Sequence, residues 1–305
     1  MERIDFHADD YALTENSDND IIALCKKGKL DSISVIPNLK IFDSAAKKFL
    51  TAKKGFPKEV KVSVHLNVME GKCLSDKAAL PDLADSDGYF DTSWGKLFLA
   101  SLNPLKRNKI RLQLKAEIIA QIKRSIDSGL CDAAALRLDS HQHPHMIPVF
   151  FDALSDALTE MRITPEYVRN SRDPISCYLF VPALWKYFSP ANIVKCLILN
   201  HFARRVERWQ KKNGLEQNLL CGVFFSGFMG AERVQKALPN FTKKCQRRGA
   251  TLELLFHPGT VISAELTDEF TKPGFNEFHL SPGRKMERNT LERIARKENS
   301  ECSTH

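Results

Sequence analysis

The sequence predicts an α/β fold. The expected architecture is a TIM-like (β/α) barrel, which includes incomplete or distorted forms of that barrel. Short apolar runs of strand length alternate with longer runs of helical pattern, an order typical of a parallel sheet. About seven such strands fall in one chain of 305 residues, which favours a barrel over a two-domain arrangement. The 43% hydrophobic content is enough to bury one large core. We therefore expect a single domain over residues 1–305, with a doubly wound open sheet as the alternative.

The predicted strands are short and rich in apolar or β-branched residues, and they cover residues 3–6, 32–36, 60–66, 134–138, 166–169, 222–225 and 251–256. The predicted helices show a helical apolar period and cover residues 21–27, 41–53, 114–128, 147–161, 192–213 and 231–248. The first helix is expected to begin near Thr14 or Asn16, and Gly129 and Gly249 are expected to end two others.

Two segments fit the alternation less well. Residues 72–113 contain Pro81 and Pro104 among other turn-forming residues, and we expect a loop-rich excursion there. Residues from about 170 to 220 are expected to form a helical insertion. Its helix near 192–213 has a basic face, for which we favour a solvated surface over a dimer contact or a lid.

Charge and composition exclude several classes of protein. The net charge of +8 suits an anionic or neutral partner, but basic residues are not interleaved with aromatic ones as in nucleic-acid binders. No apolar run is long enough to span a bilayer, and the first residues lack the pattern of a signal peptide. We therefore expect a cytoplasmic protein whose eight scattered cysteines are reduced. Nucleotide-binding glycine motifs and a serine-nucleophile motif are absent from the sequence.

Four polar clusters follow predicted strands, and they are HADD at 7–10, HLN at 65–67 with EG at 70–71, DSHQHPH at 139–145 and HPG at 257–259. The carboxyl ends of parallel strands form one face of an α/β fold, and that face holds the active site. We therefore expect residues that are far apart in the sequence to converge in space.

The residue types in these clusters indicate a hydrolytic metal site. One carboxylate and two imidazoles are a common ligand set for such a metal, and Asp10, His65 and His141 could supply it. Asp9 could accept a proton from a bound water, and His257 could protonate a leaving group. Each residue taken alone also fits an ordinary role, such as a helix cap or a hydrogen-bonded histidine. The metal interpretation depends on all four clusters following strands, so that their side chains come together at one site.

The same segments resemble the signatures of the YdjC-like (ChbG/HpnK-type) carbohydrate deacetylases. HADDYALT at 7–14 resembles that family's N-A-D-D-F-G-L-[ST] opening, and LELLFHPG at 252–259 is similar to its E-x-M-C-H-P signature. The other matching segments are VSVHLNVMEGK at 62–72, RLDSHQHPHMIP at 137–148 and FFSGFMGAERVQKAL at 224–238. The resemblance runs from residue 4 to about residue 292 and so covers nearly the whole chain.

The resemblance implies a barrel of the glycoside hydrolase/deacetylase type, distantly akin to NodB-type deacetylases. It implies hydrolysis of the N-acetyl group of an N-acetylated mono- or oligosaccharide, with release of acetate. One divalent metal ion, Mg²⁺ or Zn²⁺, would be held by Asp10, His65 and His141. Asp9 falls on the general-base position and His257 on the general-acid position.

Three further residues are assigned to substrate contact or to orienting a ligand, and they are His143, His145 and Arg169. The sequence departs from the family pattern at Tyr11, Ala12 and Phe256, where we expect the floor of the pocket to be reshaped.

Two alternatives to sugar deacetylation stay open at this stage. One is a metal hydrolase of another amide or ester, since the same ligands could serve either reaction. The other is a catalytically inactive barrel that binds a sugar or a metal. A homodimer is the expected assembly if the chain associates with itself.

Overall fold

The computed structural model describes residues 4–294. Its seven strands are β1 (Ile4–Tyr11), β2 (Ser32–Val35), β3 (Lys61–Leu66), β4 (Arg137–Ser140), β5 (Tyr167–Val168), β6 (Asn218–Cys221) and β7 (Thr251–Phe256). Its α-helices are α1 (Glu15–Lys26), α2 (Phe42–Ala52), α3 (Trp94–Leu102), α4 (Pro104–Asp127), α5 (Pro148–Met161), α6 (Ser176–Leu179), α7 (Pro190–Lys212), α8 (Ala231–Arg248), α9 (Pro273–His279) and α10 (Pro282–Arg293).

The strands form one parallel sheet in the order β5-β4-β3-β2-β1-β7-β6. The edge strands β5 and β6 do not pair as strands within the described residues. The seam between them carries irregular hydrogen bonds instead: Asn170 N donates to Asn218 Oδ1 at 2.9 Å, and Leu220 N donates to the Arg172 carbonyl at 2.9 Å. The prediction of an incomplete or distorted parallel barrel is confirmed.

The apolar core lies mainly between the strands and the helices. Polar side chains lie on the other face of the sheet, which forms the interior of the barrel. His7 on β1 links Ser32 and Ser34 on β2 at 2.6 Å each, and Ser34 donates to Asp139 on β4. These groups are buried, so their hydrogen bonds with one another replace those with water. The polar interior leads toward the carboxyl ends of the strands.

Three predicted segments were wrong. The first strand continues to Tyr11, so the HADD cluster lies on the strand itself. The sixth strand is Asn218–Cys221 rather than residues 222–225, because the chain bends at Gly222 with φ of +155°.

The third error is the loop excursion at 72–113, which contains α3 and the first turns of α4. Pro104 occupies the first turn of α4, where its missing N–H is not needed, and Asn103 caps that end. Exposed leucines such as Leu105 and Leu112 obscured the one-sided apolar pattern.

The expected helical insertion at 170–220 contains α6, α7 and the strand β6. No helix within residues 4–294 is both long enough and apolar enough to cross a membrane. The single-domain prediction includes residues 1–3 and 295–305, which lie outside the described part of the chain, and it stays a prediction.

Candidate active site

A cavity of about 520 Å³ opens at the carboxyl ends of the strands. The predicted residues Asp9, His65, His141, His143 and His257 all line it. The remaining wall is largely apolar and includes Trp94, Val194, Ile198, Phe275 and Phe278. Four clusters that are separated along the sequence therefore converge at one cavity, as expected from the parallel strands.

Asp10 lies beside His65 and His141, which line the cavity, and all three residues are buried. Asp10 Oδ1 is 3.0 Å from His141 Nδ1 and 3.6 Å from His65 Nε2. One ligand atom from each residue lies within 4.8 Å of the other two. Ligands at about 2.1 Å around a tetrahedral ion are separated by about 3.4 Å, so this set fits a divalent metal.

Each of the two histidines also contacts a carboxylate through its other ring nitrogen. His65 Nδ1 is 2.6 Å from Asp139 Oδ1, and His141 Nε2 is 2.9 Å from Glu70 Oε2. Burial alone would lower both histidine pKa values, but the neighbouring carboxylates raise that of His65 to about 10 and that of His141 to about 9. Burial opposes ionisation of Asp10, but its hydrogen bond with His141 helps to hold its pKa well below the ordinary value.

Asp9 is held by a buried arginine. Arg169 donates to Asp9 Oδ2 from Nη1 at 3.0 Å and to Oδ1 from Nη2 at 2.8 Å. Burial would raise the pKa of Asp9, but Arg169, with smaller contributions from nearby histidines, holds it well below the ordinary value. Asp9 is therefore ionised, and its Oδ2 lies 3.8 Å from His65 Nε2 and 3.9 Å from His257 Nε2.

Arg169, which was assigned to substrate contact or to orienting a ligand, is fully buried and does not line the cavity. Its guanidinium also contacts Asp139 at 3.1 Å and Glu253 at 2.6 Å. This placement favours a role in holding Asp9 over a direct contact with substrate.

His257 directly follows β7, the strand that pairs with β1, and it lines the cavity. Its backbone N–H donates to Glu287 Oε2, and its ring packs edge-on against Phe278 with centroids 5.3 Å apart. His257 Nδ1 is 3.6 Å from Glu287 Oε2, which leaves Nε2 facing Asp9 and the cavity.

His143 and His145 have different surroundings. His143 lines the cavity and contacts Ser171 Oγ at 3.0 Å, whereas His145 is fully buried between Ser140 and the Arg169 carbonyl. Burial lowers the pKa of both rings, that of His145 to about 4, so both are neutral. His143 can therefore reach a substrate, and His145 can only act through its neighbours.

Left-handed backbone conformations are concentrated at this site. Of the five non-glycine residues with positive φ among those described, four are Asp10, Ala12, Gln142 and His143, and the fifth ends helix α5. Such conformations cost about 1–3 kcal/mol each and often occur at functional sites, where the surrounding structure maintains them. They turn the carboxyl ends of β1 and β4 so that Asp10 meets His141 and His143 lines the cavity.

Sequence reasoning noted Glu70 and Asp139 in their clusters but gave them no role, and it missed His279, Arg284 and Lys195. Arg284 donates to Asp10 Oδ2 at 2.9 Å from helix α10, and no local motif points to it. The basic face of the helix near 192–213 was expected to be solvated, but its residue Lys195 lines the cavity.

Comparison with known proteins identifies the family. Residues 3–295 match the family described as YdjC-like protein. The chain belongs to the YdjC-like family. The resemblance inferred from the sequence motifs is thereby confirmed.

Relatives of this YdjC-like chain include named deacetylases. A carbohydrate deacetylase from Danio rerio is 24% identical over 303 residues, which cover 93% of this chain and 89% of the relative. A chitooligosaccharide deacetylase from Escherichia fergusonii is 27% identical over 171 residues, 55% of this chain and 61% of the relative. A solved Enterococcus faecalis structure, described as a proposed cellobiose-phosphate cleavage protein, matches with a TM-score of 0.58 at 18% identity over 95% of each chain. This last match shows the shared fold.

The three departures from the YdjC-like pattern were expected to reshape the pocket floor, and this was wrong. Tyr11, Ala12 and Phe256 are fully buried in the apolar core, and none lines the cavity. Ala12 adopts φ of +69°, which explains why glycine is usual at that position.

Proposed function

We propose that this chain is a metal-dependent deacetylase that hydrolyses the N-acetyl group of an amino sugar, in a mono- or oligosaccharide, and releases acetate. The observation that carries the proposal is the convergence of Asp10, His65 and His141 beside Asp9 and His257 at one cavity. A ligand set, a base and an acid are the groups that amide hydrolysis requires.

Asp10, His65 and His141 would hold the metal. A divalent cation there would polarise the attacking water and the acetamide carbonyl. Two imidazoles and one carboxylate favour Zn²⁺ or a similar transition metal, and Mg²⁺ is the alternative. The carboxylates behind the two histidines orient the rings toward the ligand position.

Asp9 and His257 would move the protons. Asp9 Oδ2 accepts a proton from the water as the water oxygen bonds to the carbonyl carbon. His257 Nε2 then donates a proton to the sugar nitrogen as the carbon–nitrogen bond breaks, so that a free amine and acetate leave. Arg169 keeps Asp9 ionised and oriented for this transfer.

The cavity wall supports a sugar substrate. Trp94 and Phe275 offer aromatic faces of the kind that pack against the apolar faces of sugar rings, while His143 and Lys195 offer polar contacts. The names of the relatives make chito-oligosaccharides the first substrates to examine. The cytoplasmic location and the homodimer stay predictions.

Acetate release tests the proposal directly. N-acetylglucosamine and its di- and trisaccharides would be incubated with the protein after chelator treatment, with and without added Zn²⁺, Co²⁺ or Mg²⁺. We expect acetate only when metal is present. Protein that binds metal but releases no acetate from any of these sugars would instead favour an inactive, sugar- or metal-binding barrel.

Asp9→Asn tests the assignment of the base. Asparagine keeps the shape of the side chain but cannot accept the proton, so we expect kcat to fall by about 100- to 10,000-fold. The metal affinity, measured by isothermal titration calorimetry, should stay close to that of the unaltered protein because Asp9 is not a proposed ligand. Near-normal turnover with metal bound would show that another group is the base.

A further inference from the structure

Glu70 is a buried carboxylate on the loop after β3, directly behind one proposed metal ligand. Its Oε2 is 2.9 Å from His141 Nε2. The loop is held firmly: Asn38 and Asn67 donate from their side-chain amides to the Glu70 carbonyl at 2.8 and 2.9 Å. Asn67 Oδ1 also accepts from the Met69 N–H at 2.8 Å. The position of the Glu70 carboxylate is therefore determined by the fold.

Both nitrogens of His141 are engaged, and this determines the protonation state needed for a metal ligand. Nδ1 faces Asp10 and the ligand cluster at 3.0 Å, so it is the nitrogen that would bind the metal. Nε2 must then carry the hydrogen, which it donates to Glu70. His65 shows the same arrangement with its nitrogens exchanged: Nε2 faces Asp10, and Nδ1 contacts Asp139.

His279 on α9 supports Glu70 from the other side. Its Nε2 is 3.0 Å from the same Glu70 Oε2, and its ring stacks on His141 with centroids 6.0 Å apart and planes 25° apart. Phe270 packs edge-on against His279 at 5.7 Å. His279 is 1% exposed, so its ring has little freedom to turn away.

We propose that Glu70 is a positioning residue that fixes the ring orientation and the tautomer of His141, and that His279 holds Glu70 in place. The inference rests on the proposed function only in requiring that Asp10, His65 and His141 bind a divalent metal. Positioning is favoured over a second metal at Glu70, His141 and His279, because with a first metal on Nδ1 a second metal on Nε2 would require His141 to lose both ring hydrogens and become an imidazolate.

Metal affinity of the chelator-treated protein is the primary measurement, made by titration calorimetry with Zn²⁺ and Co²⁺. Glu70→Gln removes the charge but keeps the size, and we expect the Kd to rise by about 10- to 100-fold, as for other partners of metal-binding histidines. Glu117→Gln is the matched control, because Glu117 is also buried but accepts hydrogen bonds from the backbone of Leu74 and Ser75 and from the side chain of Gln121 rather than from a histidine. Its Kd should not change.

His279 is examined with two variants. His279→Phe keeps a ring but loses the hydrogen bond to Glu70, and it should weaken metal binding by a smaller factor than Glu70→Gln. His279→Gln places an amide N–H near the position of Nε2 and should restore most of the affinity. The visible spectrum of the Co²⁺ form should change in Glu70→Gln and His279→Phe, but not in Glu117→Gln, because it reports the geometry of the ligands.

The outcomes separate this inference from the proposed function. Metal bound with unchanged affinity and spectrum in Glu70→Gln would overturn the inference, as would wild-type protein that binds no metal. Loss of binding in Glu70→Gln with little loss in Asp10→Asn would also overturn it, since Glu70 would then be a direct ligand. The expected affinities in a protein that releases no acetate would support the inference while removing the proposed deacetylase activity.

Discussion

Asp9 and Asp10 are neighbours in the sequence, yet each has its own set of partners. Successive side chains of a strand alternate between its faces, and Asp10 has a left-handed conformation that departs from the regular strand. Asp9 pairs with Arg169, whereas Asp10 pairs with Arg284 and His141. Arg169 keeps Asp9 ionised, and His141, with smaller contributions from His65 and Arg284, keeps Asp10 ionised, in a buried site that would otherwise favour protonation of both carboxylates. One carboxylate is thus free to bind metal and the other to accept a proton.

Metal affinity should rise with pH because of the two ligand histidines. Their raised pKa values, about 10 for His65 and about 9 for His141, mean that both rings carry an extra proton at neutral pH when metal is absent. A metal must displace those protons, so binding releases up to about two protons and tightens as the pH rises toward these pKa values. Calorimetry in buffers with different ionisation enthalpies measures the release. Affinity that is flat from about pH 6 to about pH 9 would contradict the shifted pKa values.

The end of β7 shows how helix packing determines the position of His257. The HPG turn approaches α1 so closely that a Cβ on Gly259 would lie 2.8 Å from Ser17 Cα. Gly259 also has φ of +116°, which other residues rarely adopt. Ser17 belongs to the capping box at the start of α1, with Thr14, so it cannot easily move away. The glycine of this motif is therefore required by contact between two elements.

Gly259→Ala should displace this turn. We expect destabilisation of about 1–3 kcal/mol from overpacking, measured by urea unfolding. We also expect a lower kcat because His257 moves, and a smaller loss of metal affinity because Arg284, which donates to Asp10, also donates to the Gly259 carbonyl. Gly55→Ala is the control, since a Cβ there meets no atom within 4 Å. Equal stability and activity in the two variants would show that the turn adapts without strain.

At the scale of the whole molecule, irregular hydrogen bonds, several of them from side chains, join β5 and β6 at the seam of the barrel. Asn218 accepts from the Asn170 N–H at 2.9 Å and donates to its carbonyl at 3.0 Å, which replaces two backbone hydrogen bonds of a regular sheet. Arg169, which holds Asp9, directly precedes this seam. Closure of the barrel and orientation of the proposed base are therefore linked.

Asn218→Ala should weaken both the closure of the barrel and the orientation of Asp9 by Arg169. Each buried backbone group left without a partner costs about 1–3 kcal/mol, so the free energy of unfolding in urea should fall by at least that amount. The kcat should also fall, because Arg169 loses its fixed backbone. Asn213→Ala, at the exposed end of α7, is the control and should change stability by less than about 0.5 kcal/mol. Unchanged unfolding of Asn218→Ala would show that the seam does not stabilise the barrel.

Features encoded in a few consecutive residues could be predicted from the sequence, whereas features that depend on distant contacts could not. Each predicted site cluster occupies a few consecutive residues, so the sequence alone indicated Asp9, Asp10, His65, His141 and His257, and the cavity includes or adjoins all of them. Segments without a clean apolar period were predicted poorly. Helices α3 and α4 carry exposed leucines, and the true sixth strand is only four residues long.

By itself, the sequence determined the family, the parallel α/β architecture and the motif residues, because motifs and periodicity are encoded within short segments. Only the tertiary structure decided which groups support them. His279 reaches Glu70 across 209 residues, and Arg284 reaches Asp10 across 274. Such contacts leave no local pattern, since they depend on where the last two helices pack against the open end of the barrel. The burial of Arg169 and the placement of Lys195 in the cavity depend on packing in the same way.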